Sequence, residues 1–365
     1  MQSQLIFHRR NLHQIPEIDF DLPKTCRYIT NVLQKLNCCI LYPTQSSVCA
    51  YFDKGKEYSV AFRADMDALP VTEQTGLPFS SRHEGFSHSC GHDGHMAMAL
   101  CIAEYVDTAL DLPCNVLVIF QPAEETTGGA EALVNSGIFE KYNVTRIFGC
   151  HLWPELPEGV IGSKKGALMA QNSEIDVTVE GKSSHIAKAQ QGADALYALS
   201  LFLTRTYHME QTVLPDDVPR LVKFGCAQSG TTRNALSSRS QMLGSIRTFS
   251  QEDDILLKEN MLNIAKQVDI ETGCNTTVEF LVGYPPLVND PDLFDTIMSK
   301  YKQDITIVDS PSMTCEDFSF YGQAAASFFF FLGVGGSEPL HSQKFNFDEK
   351  CLVKGFDFFK KLLYL

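Results

Sequence analysis

YSVAFRADMD (residues 58–67) decides the fold: it is continuous and apolar until it turns acidic at Asp65 and Asp67, the pattern of a buried strand that runs into a functional loop. NVLVIFQ (115–121) and TRIFGCHLW (145–153) repeat it. Between these runs lie GHMAMALCIAEYVDTAL from Gly94 and GGAEALVNSGIFEKY from Gly128, rich in good helix formers with apolar residues at helical spacing. Strand, helix, strand, helix, strand predicts an α/β architecture in which a parallel sheet is covered on both faces. Ligands of such sheets bind beyond the carboxyl ends of the strands. Here those ends carry Asp65 and Asp67, Glu124 and Glu125, and His151.

Further along, the pattern changes. EIDVTVEG (174–181) alternates like a half-exposed strand, GADALYALSLFLTRTYHM (192–209) is an amphipathic helix, and RLVKFGCAQSG (220–230) and SSRSQMLGSIRTF (237–249) read as paired strands. A second helix over 251–269 precedes a last strand, TTVEFLVGY (276–284). The order βαββαβ predicts a small ferredoxin-like α+β domain with an antiparallel sheet. After Pro285 and Pro286 the buried pattern returns in a helix from Asp292, in SFFFFLGVG (327–335) and in an amphipathic helix from Asp348. The expected organisation is therefore a main domain made of 1–169 and 283–365, interrupted by an inserted domain at 170–282.

The chain has 365 residues, enough for two domains, with 44% hydrophobic and 20% charged residues, a globular composition. A formal charge of −14 argues against nucleic acid as partner, because that affinity comes from clustered Lys and Arg. No apolar run approaches the ~20 residues of a membrane helix, and residues 1–10 lack the apolar core of a secretory signal. A cytoplasmic protein without membrane contact is the expectation. The twelve cysteines are scattered singly through apolar stretches, as with Cys101, Cys226, Cys274 and Cys351, where a thiol behaves as a small hydrophobe.

HSCGHDGH (88–95) is the densest chemical cluster. Cys90 and His92 are two apart, so in extended backbone they face one side, and the helix beginning just after them is expected to lower the thiol pKa toward the thiolate that metals require. With no paired CxxC knuckles in the chain, an open catalytic site fits better than a closed structural one. In QPAEE, if Glu125 binds a cation, Glu124 stands beside the metal-bound water to take its proton. His151 in GCHLW and His341 after the Gly-rich turn of GGSEPLH read, one by one, as ordinary core or surface histidines. Both nevertheless fall at carboxyl ends of strands in one sheet. Cys90, His92, Glu125, His151 and His341 would then converge on one rim with Asp65 and Asp67. On the residues alone, a cysteine hydrolase with Cys90 as nucleophile and His92 or His151 as base stays open. So does a binding or scaffolding protein that has kept the fold.

RADMDALP (63–70), SCGHDGHMAM (89–98), FQPAEE (120–125), GCHLWPELPEG (149–159), TRNALS (232–237), GSIRTFS (244–250), CEDFSFY (315–321) and LGVGGSEPLHSQKFNFDE (332–349) resemble, in order, the N-acyl-amino-acid amidohydrolases. This is the hippurate hydrolase and auxin-conjugate hydrolase branch of the aminoacylase and carboxypeptidase metallopeptidase superfamily. The likeness runs from NLHQIPEIDF (11–20) to the C-terminal helix. It implies a two-metal centre held by Cys90, His92, Glu125, His151 and His341, filled by zinc or manganese, with cobalt or nickel as other candidates. Cys90 stands where relatives outside the branch have a bridging aspartate. The resemblance makes Glu124 the general base, Asp67 the acid that orients a ligand histidine, and Asp65 the occupant of a place where other branches have a further metal-binding histidine. The inserted domain becomes a lid and a dimerisation domain through which a homodimer forms. Within it, His185 resembles the histidine that polarises the scissile carbonyl, and Asn234 and Arg247 resemble groups that hold the substrate carboxylate.

The activity implied is cleavage of an N-acyl amino acid to a carboxylate and a free amino acid, with a dipeptidase or carboxypeptidase built on the same centre as the alternative. One stretch departs from the family. GKSSHIAKAQQ (181–191) stands where most relatives read GKGGHAA followed by proline, so two serines add bulk and hydroxyls beside His185.

Overall fold

The computed structural model describes residues 1–336 and 338–365, which form two compact units: Met1–Leu168 with Val288–Pro311 and Asp317–Leu365, and Met169–Leu287 with Ser312–Glu316. The first unit contains β1 (Cys39–Leu41), β2 (Val48–Phe52), β3 (Ser59–Asp65), β4 (Asn115–Gln121), β5 (Val144–Trp153) and β6 (Ile161–Ser163). The chain then enters the second unit through β7 (Gln171–Glu180), β8 (Leu221–Ser229), β9 (Arg239–Thr248) and β10 (Asn275–Val282), and returns for β11 (Ile305–Ile307) and β12 (Ala326–Gly333).

β3 and β4 are buried along their whole length, as strands covered on both faces must be. The sheet order is β1-β2-β4-β3-β5-β12-β6-β11. The central strands β4, β3, β5 and β12 are parallel, which are the buried runs legible in the sequence. The sheet as a whole is mixed rather than purely parallel, because β2 and β6 run antiparallel to their inner neighbours. Those flanking strands are too short to announce themselves by pattern. Register decides what happens at the carboxyl edge: Asp65 pairs with Gln121 across β3 and β4, and His151 pairs with Phe331 across β5 and β12.

Helix α2 (His92–Thr108) packs on α1 (Gln2–His13), on β3 and on the C-terminal helix, here numbered α5 (Cys351–Leu362). Met96, Met98, Leu100 and Ile102 are fully buried. Its first turn approaches β5 closely. Gly91, the N-cap, has φ +86°, and a Cβ there would lie 2.8 Å from Leu152 Cδ1. At Gly94 a Cβ would lie 3.0 Å from both Leu152 Cδ1 and Phe347 Cζ. The two glycines of CGHDG therefore let the helix start press against the end of β5.

In the second unit β7 to β10 form an antiparallel sheet of order β10-β7-β9-β8. Helices α3 (Ala195–Thr212) and α4 (Gln251–Thr272) pack on it, burying Ile175, Val177, Val179, Met242 and Ile246 against Phe202, Leu257 and Met261. The caps fix where these helices start: Asp194 accepts from the amides of Leu196 and Tyr197, and Ser250 from that of Asp253. The element order is the βαββαβ read from the sequence.

A buried ionic cluster ties α1 to the start of α2. Arg9 Nε lies 3.1 Å and His13 Nδ1 2.8 Å from Asp93 Oδ2, and Arg9 Nη2 donates to Asn346 Oδ1 at 2.8 Å. Burial opposes a charge on His13, but the fields of Asp93 and Glu73 outweigh it and raise the imidazole to about 9. Arg9→Met leaves Asp93 buried beside His13 alone, so urea unfolding should show a loss of about 3–5 kcal/mol. Because the folded His13 titrates above its unfolded value of about 6.5, its stabilisation is complete below that pH and disappears as pH rises through 9. The stability gap between wild type and His13→Gln should close over that window.

Candidate metal centre

Four strand ends and one helix start deliver the polar side chains. β3 ends at Asp65, with Asp67 two residues on, and β4 runs through Pro122 into Ala123, Glu124 and Glu125. Ala123 has φ +61°, a conformation unusual outside glycine, which turns the two glutamates off the strand. Asp67 fixes this turn: its Oδ1 accepts from Glu124 N at 3.1 Å and its Oδ2 from Glu125 N at 3.0 Å. His151 lies near the end of β5, and Cys90 and His92 flank Gly91. His341 follows β12, also at positive φ (+67°), its amide donating to Ser89 O at 2.8 Å.

These side chains meet. Cys90 Sγ is 3.3 Å from His151 Nε2, and His341 Nε2 is 3.3 Å from Glu125 Oε1. His92 Nε2 faces Asp65 Oδ2 at 3.7 Å, Glu125 Oε1 at 3.8 Å and Glu124 Oε2 at 3.9 Å. The donors of Cys90, His92 and His151, those of Cys90, Glu125 and His341, and those of His92, Glu124 and Glu125 each lie within 4.8 Å of one another.

Hydrogen bonds set the histidine tautomers. A backbone carbonyl only accepts, so the contacts of His92 Nδ1 with Asp67 O (2.8 Å) and of His151 Nδ1 with Leu152 O (2.7 Å) put the protons on Nδ1. The Nε2 lone pair of His151 then points inward; burial opposes a charge on His92, but Asp65, Asp67 and Glu125 outweigh it and raise that imidazole to about 10, so its Nε2 carries a proton that a metal would displace. His92 Nε2 is buried without a hydrogen-bond partner although it faces three carboxylates at under 4 Å. A cation between imidazole and carboxylates would take the place of its proton, and the set of thiol, imidazoles and carboxylates suits a borderline ion such as Zn²⁺. The residues present fit a divalent metal centre.

Asp67 meets His92 through its backbone carbonyl, and its carboxylate, 3.7 Å from His92 Nδ1, accepts the two glutamate amides. One sequence expectation changes. The thiol of Cys90 is not lowered by the helix start. Burial, then Glu125, Glu124 and Asp65, hold it well above its ordinary value, because three carboxylates outweigh a helix terminus worth about half a charge. A thiolate at Cys90 needs a cation beside it. Burial also keeps the adjacent His151 neutral, its pKa lowered to about 3. That is the reverse of a nucleophilic cysteine paired with an imidazolium.

Asp65 is already engaged. Arg63 Nη1 donates to its Oδ2 at 2.7 Å and His95 Nδ1 to its Oδ1 at 2.6 Å, while His95 Nε2 accepts the amide of Leu152 at 3.0 Å. His95 thus has no lone pair left for a metal. Arg63 also reaches Asp317 Oδ1 at 2.7 Å, and Asp317 Oδ2 accepts from Gln121, Gly129 and Ala130. Sequence reasoning missed Arg63, His95 and Asp317 as parts of the site. The signals were there in the three-residue spacing of His92 and His95 and in the acid of CEDFSFY.

In the second unit His185 and Asn234 are neighbours: Ile186 N donates to Asn234 O at 3.1 Å, and His185 pairs with Ala235. His185 Nδ1 accepts from Ala187 N at 3.1 Å. Arg247 lies at the other end of β9, paired with Asn172 and Leu221, whereas the loop carrying Asn234 enters β9 at Arg239. Eight residues of strand separate the two ends by roughly 26 Å. Arg247 Nη1 is buried without a hydrogen-bond partner.

Residues 61–365 match the model of Peptidase family M20/M25/M40, and the chain belongs to this family. It is 35% identical over 368 residues to an uncharacterized hydrolase of Staphylococcus aureus, covering 98% of this chain and 96% of the relative. A provisionally named aminohydrolase from methicillin resistant Staphylococcus aureus has a similar structure, with a TM-score of 0.92, 28% identity and coverage of 98% and 95%. The Bacillus subtilis YXEP protein, a dinuclear metal binding peptidase from the M20 family, gives a TM-score of 0.87 at 29% identity, covering 99% of this chain and 97% of its own.

Asp67→Ala removes both caps of the glutamate turn while leaving every metal donor in place. Competition titration with a chromogenic chelator should show metal affinity about 10–100-fold weaker. Unchanged affinity would mean that the turn holds itself.

Proposed function

We propose that this chain is a binuclear metal-dependent amidohydrolase that splits the amide of an N-acylated amino acid into a carboxylate and a free amino acid. The observation that carries the reading is the convergence of the donors of Cys90, His92, Glu125, His151 and His341, with the buried His92 Nε2 lacking any hydrogen-bond partner. Those five residues would hold two divalent ions, zinc or manganese, with cobalt or nickel also suited to the donors. Bound there, the ions supply Lewis acidity and bring the pKa of a water from 15.7 toward ~7. Glu124, 8% exposed beside Glu125, takes the proton of the attacking water and returns it to the leaving amine. His185 donates to the oxygen that becomes negative as the carbonyl is attacked. Arg247, with a guanidinium nitrogen unsatisfied, receives the α-carboxylate, and Asn234 adds an amide to substrate binding. Ser183 and Ser184 immediately precede His185 and narrow the acyl group accepted there. The twelve thiols, all free, suit a reducing cytoplasm.

The likeness to a dinuclear metal binding peptidase favours a second reading, a dipeptidase or carboxypeptidase with the same centre. Comparing an acetylated amino acid with an unblocked dipeptide on the metal-reconstituted chain separates the two. Glu124→Gln should keep its metal and lose ~100-fold or more in kcat, while Glu125→Gln should lose metal affinity as well. The opposite metal contents would reverse the assignment of the pair.

A small N-acyl amino acid does not span the separation of His185 and Asn234 from Arg247, so we infer that it takes these groups from two copies of the chain, in a homodimer formed through the second unit. His185→Ala and Arg247→Ala should each be nearly inactive alone. Mixed in equal amounts and allowed to exchange, they should recover about a quarter of wild-type activity, because half the dimers are mixed and each then holds one complete site. No recovery after verified exchange would place all three groups in one copy's service.

A further inference from the structure

Away from the catalytic cluster, α1 and α2 assemble a second set of donors. His8 lies on α1, and Cys101 and Glu104 lie one turn apart on α2. Their ring nitrogen, thiol sulfur and carboxylate oxygen are all within 4.8 Å of one another. His8 Nε2 and Glu104 Oε1 are 3.2 Å apart, the edge of a tetrahedron whose bonds are ~2.0 Å. We propose that His8, Cys101 and Glu104 form an additional metal site for zinc or another thiophilic divalent ion, separate from the catalytic centre.

Cys101 follows His92 by nine residues, roughly 13 Å along the helix, so its sulfur does not serve the catalytic donors. Three features favour an ion over an inert polar contact. First, the Cys101 side chain is fully buried and, among the described residues, has no hydrogen-bond partner, whereas Cys26, Cys38 and Cys114 each donate to a backbone carbonyl. Second, Tyr28 Oη lies 2.9 Å from His8 Nδ1, placed to accept a proton there once Nε2 binds an ion. A ligand histidine is ordinarily held in this way by a partner on its other nitrogen. Third, one dication with one thiolate and one carboxylate is neutral, the charge state cheapest to bury.

The balance is simple. Burial and then the charge of Glu104 keep the Cys101 thiol protonated, pushed up to about 12, so binding expels that proton to solvent as the metal–sulfur bond forms. Binding through Nε2 shifts the His8 proton to Nδ1, where Tyr28 Oη accepts it. The Glu104 side chain is 23% exposed against 3% for His8, which leaves a path for the ion and for a water as fourth ligand. The donor types repeat those of the catalytic cluster in a smaller set.

The test uses the full-length protein, dialysed against buffered zinc and analysed for bound metal. Wild type should carry one zinc per chain more than Cys101→Ser or His8→Gln, whatever the catalytic centre holds. Titration with cadmium should give thiolate charge-transfer absorption for one further sulfur, missing in Cys101→Ser. Should either variant fail to fold, Glu104→Gln at the more exposed position should weaken the additional equivalent by about 10-fold or more. Equal metal counts and equal cadmium absorption in wild type and variants would overturn the proposal.

Discussion

One residue, Asp67, holds the candidate centre in register through both its main chain and its side chain. Its carbonyl accepts the Nδ1 proton of His92, and its carboxylate accepts the amides of Glu124 and Glu125. Three elements are locked together by acceptors from one position: the end of β3, the turn after β4 and the start of α2. The amides are neutral, so they satisfy the buried carboxylate without cancelling its charge. Burial accordingly keeps the Asp67 carboxyl raised above its usual value.

Charge is distributed around this hub by one buried arginine. Arg63, 1% exposed at its side chain, lies between Asp65 and Asp317 and donates to both. His95 is neutral by its hydrogen bonds and serves Asp65 rather than a metal. Glu124, Glu125 and Cys90 face inward instead, beside His92 and His341, and burial with the carboxylates raises the Cys90 thiol. The outer acids are thus held by the protein's own arginine and histidine, and the inner ones lie among the donors that suit an ion.

The central parallel strands and the βαββαβ unit were legible because their periodicity is uninterrupted over whole elements. The flanking antiparallel strands were not, since three to five residues carry too little pattern to separate strand from loop. Cys90, His92, Glu125, His151 and His341 could be proposed together because the ends of parallel strands share an edge. The sign of the Cys90 shift could not be read, as it depends on three carboxylates brought in from other strands. The carbonyl of Asp67 was equally invisible, because sequence names side chains and not which backbone group a fold will use. Arg247 and Asn234 look like neighbours at thirteen residues apart, yet an extended strand carries one away from the other.

The place of β12 in the sheet governs how the protein can be made. It lies between β5 and β6, both of which leave the ribosome before the second unit, while β12 follows it. Throughout synthesis of that unit, the inner edge of β5 stays bare, awaiting a strand whose core reads SFFFFLG. Cys90, His92, Glu125 and His151 are therefore translated into an incomplete sheet, and His341 arrives only after the closing strand. An unfinished chain is exposed to edge-to-edge aggregation for as long as the inserted unit takes to emerge, and closure of the sheet and delivery of the last donor come as nearly one event.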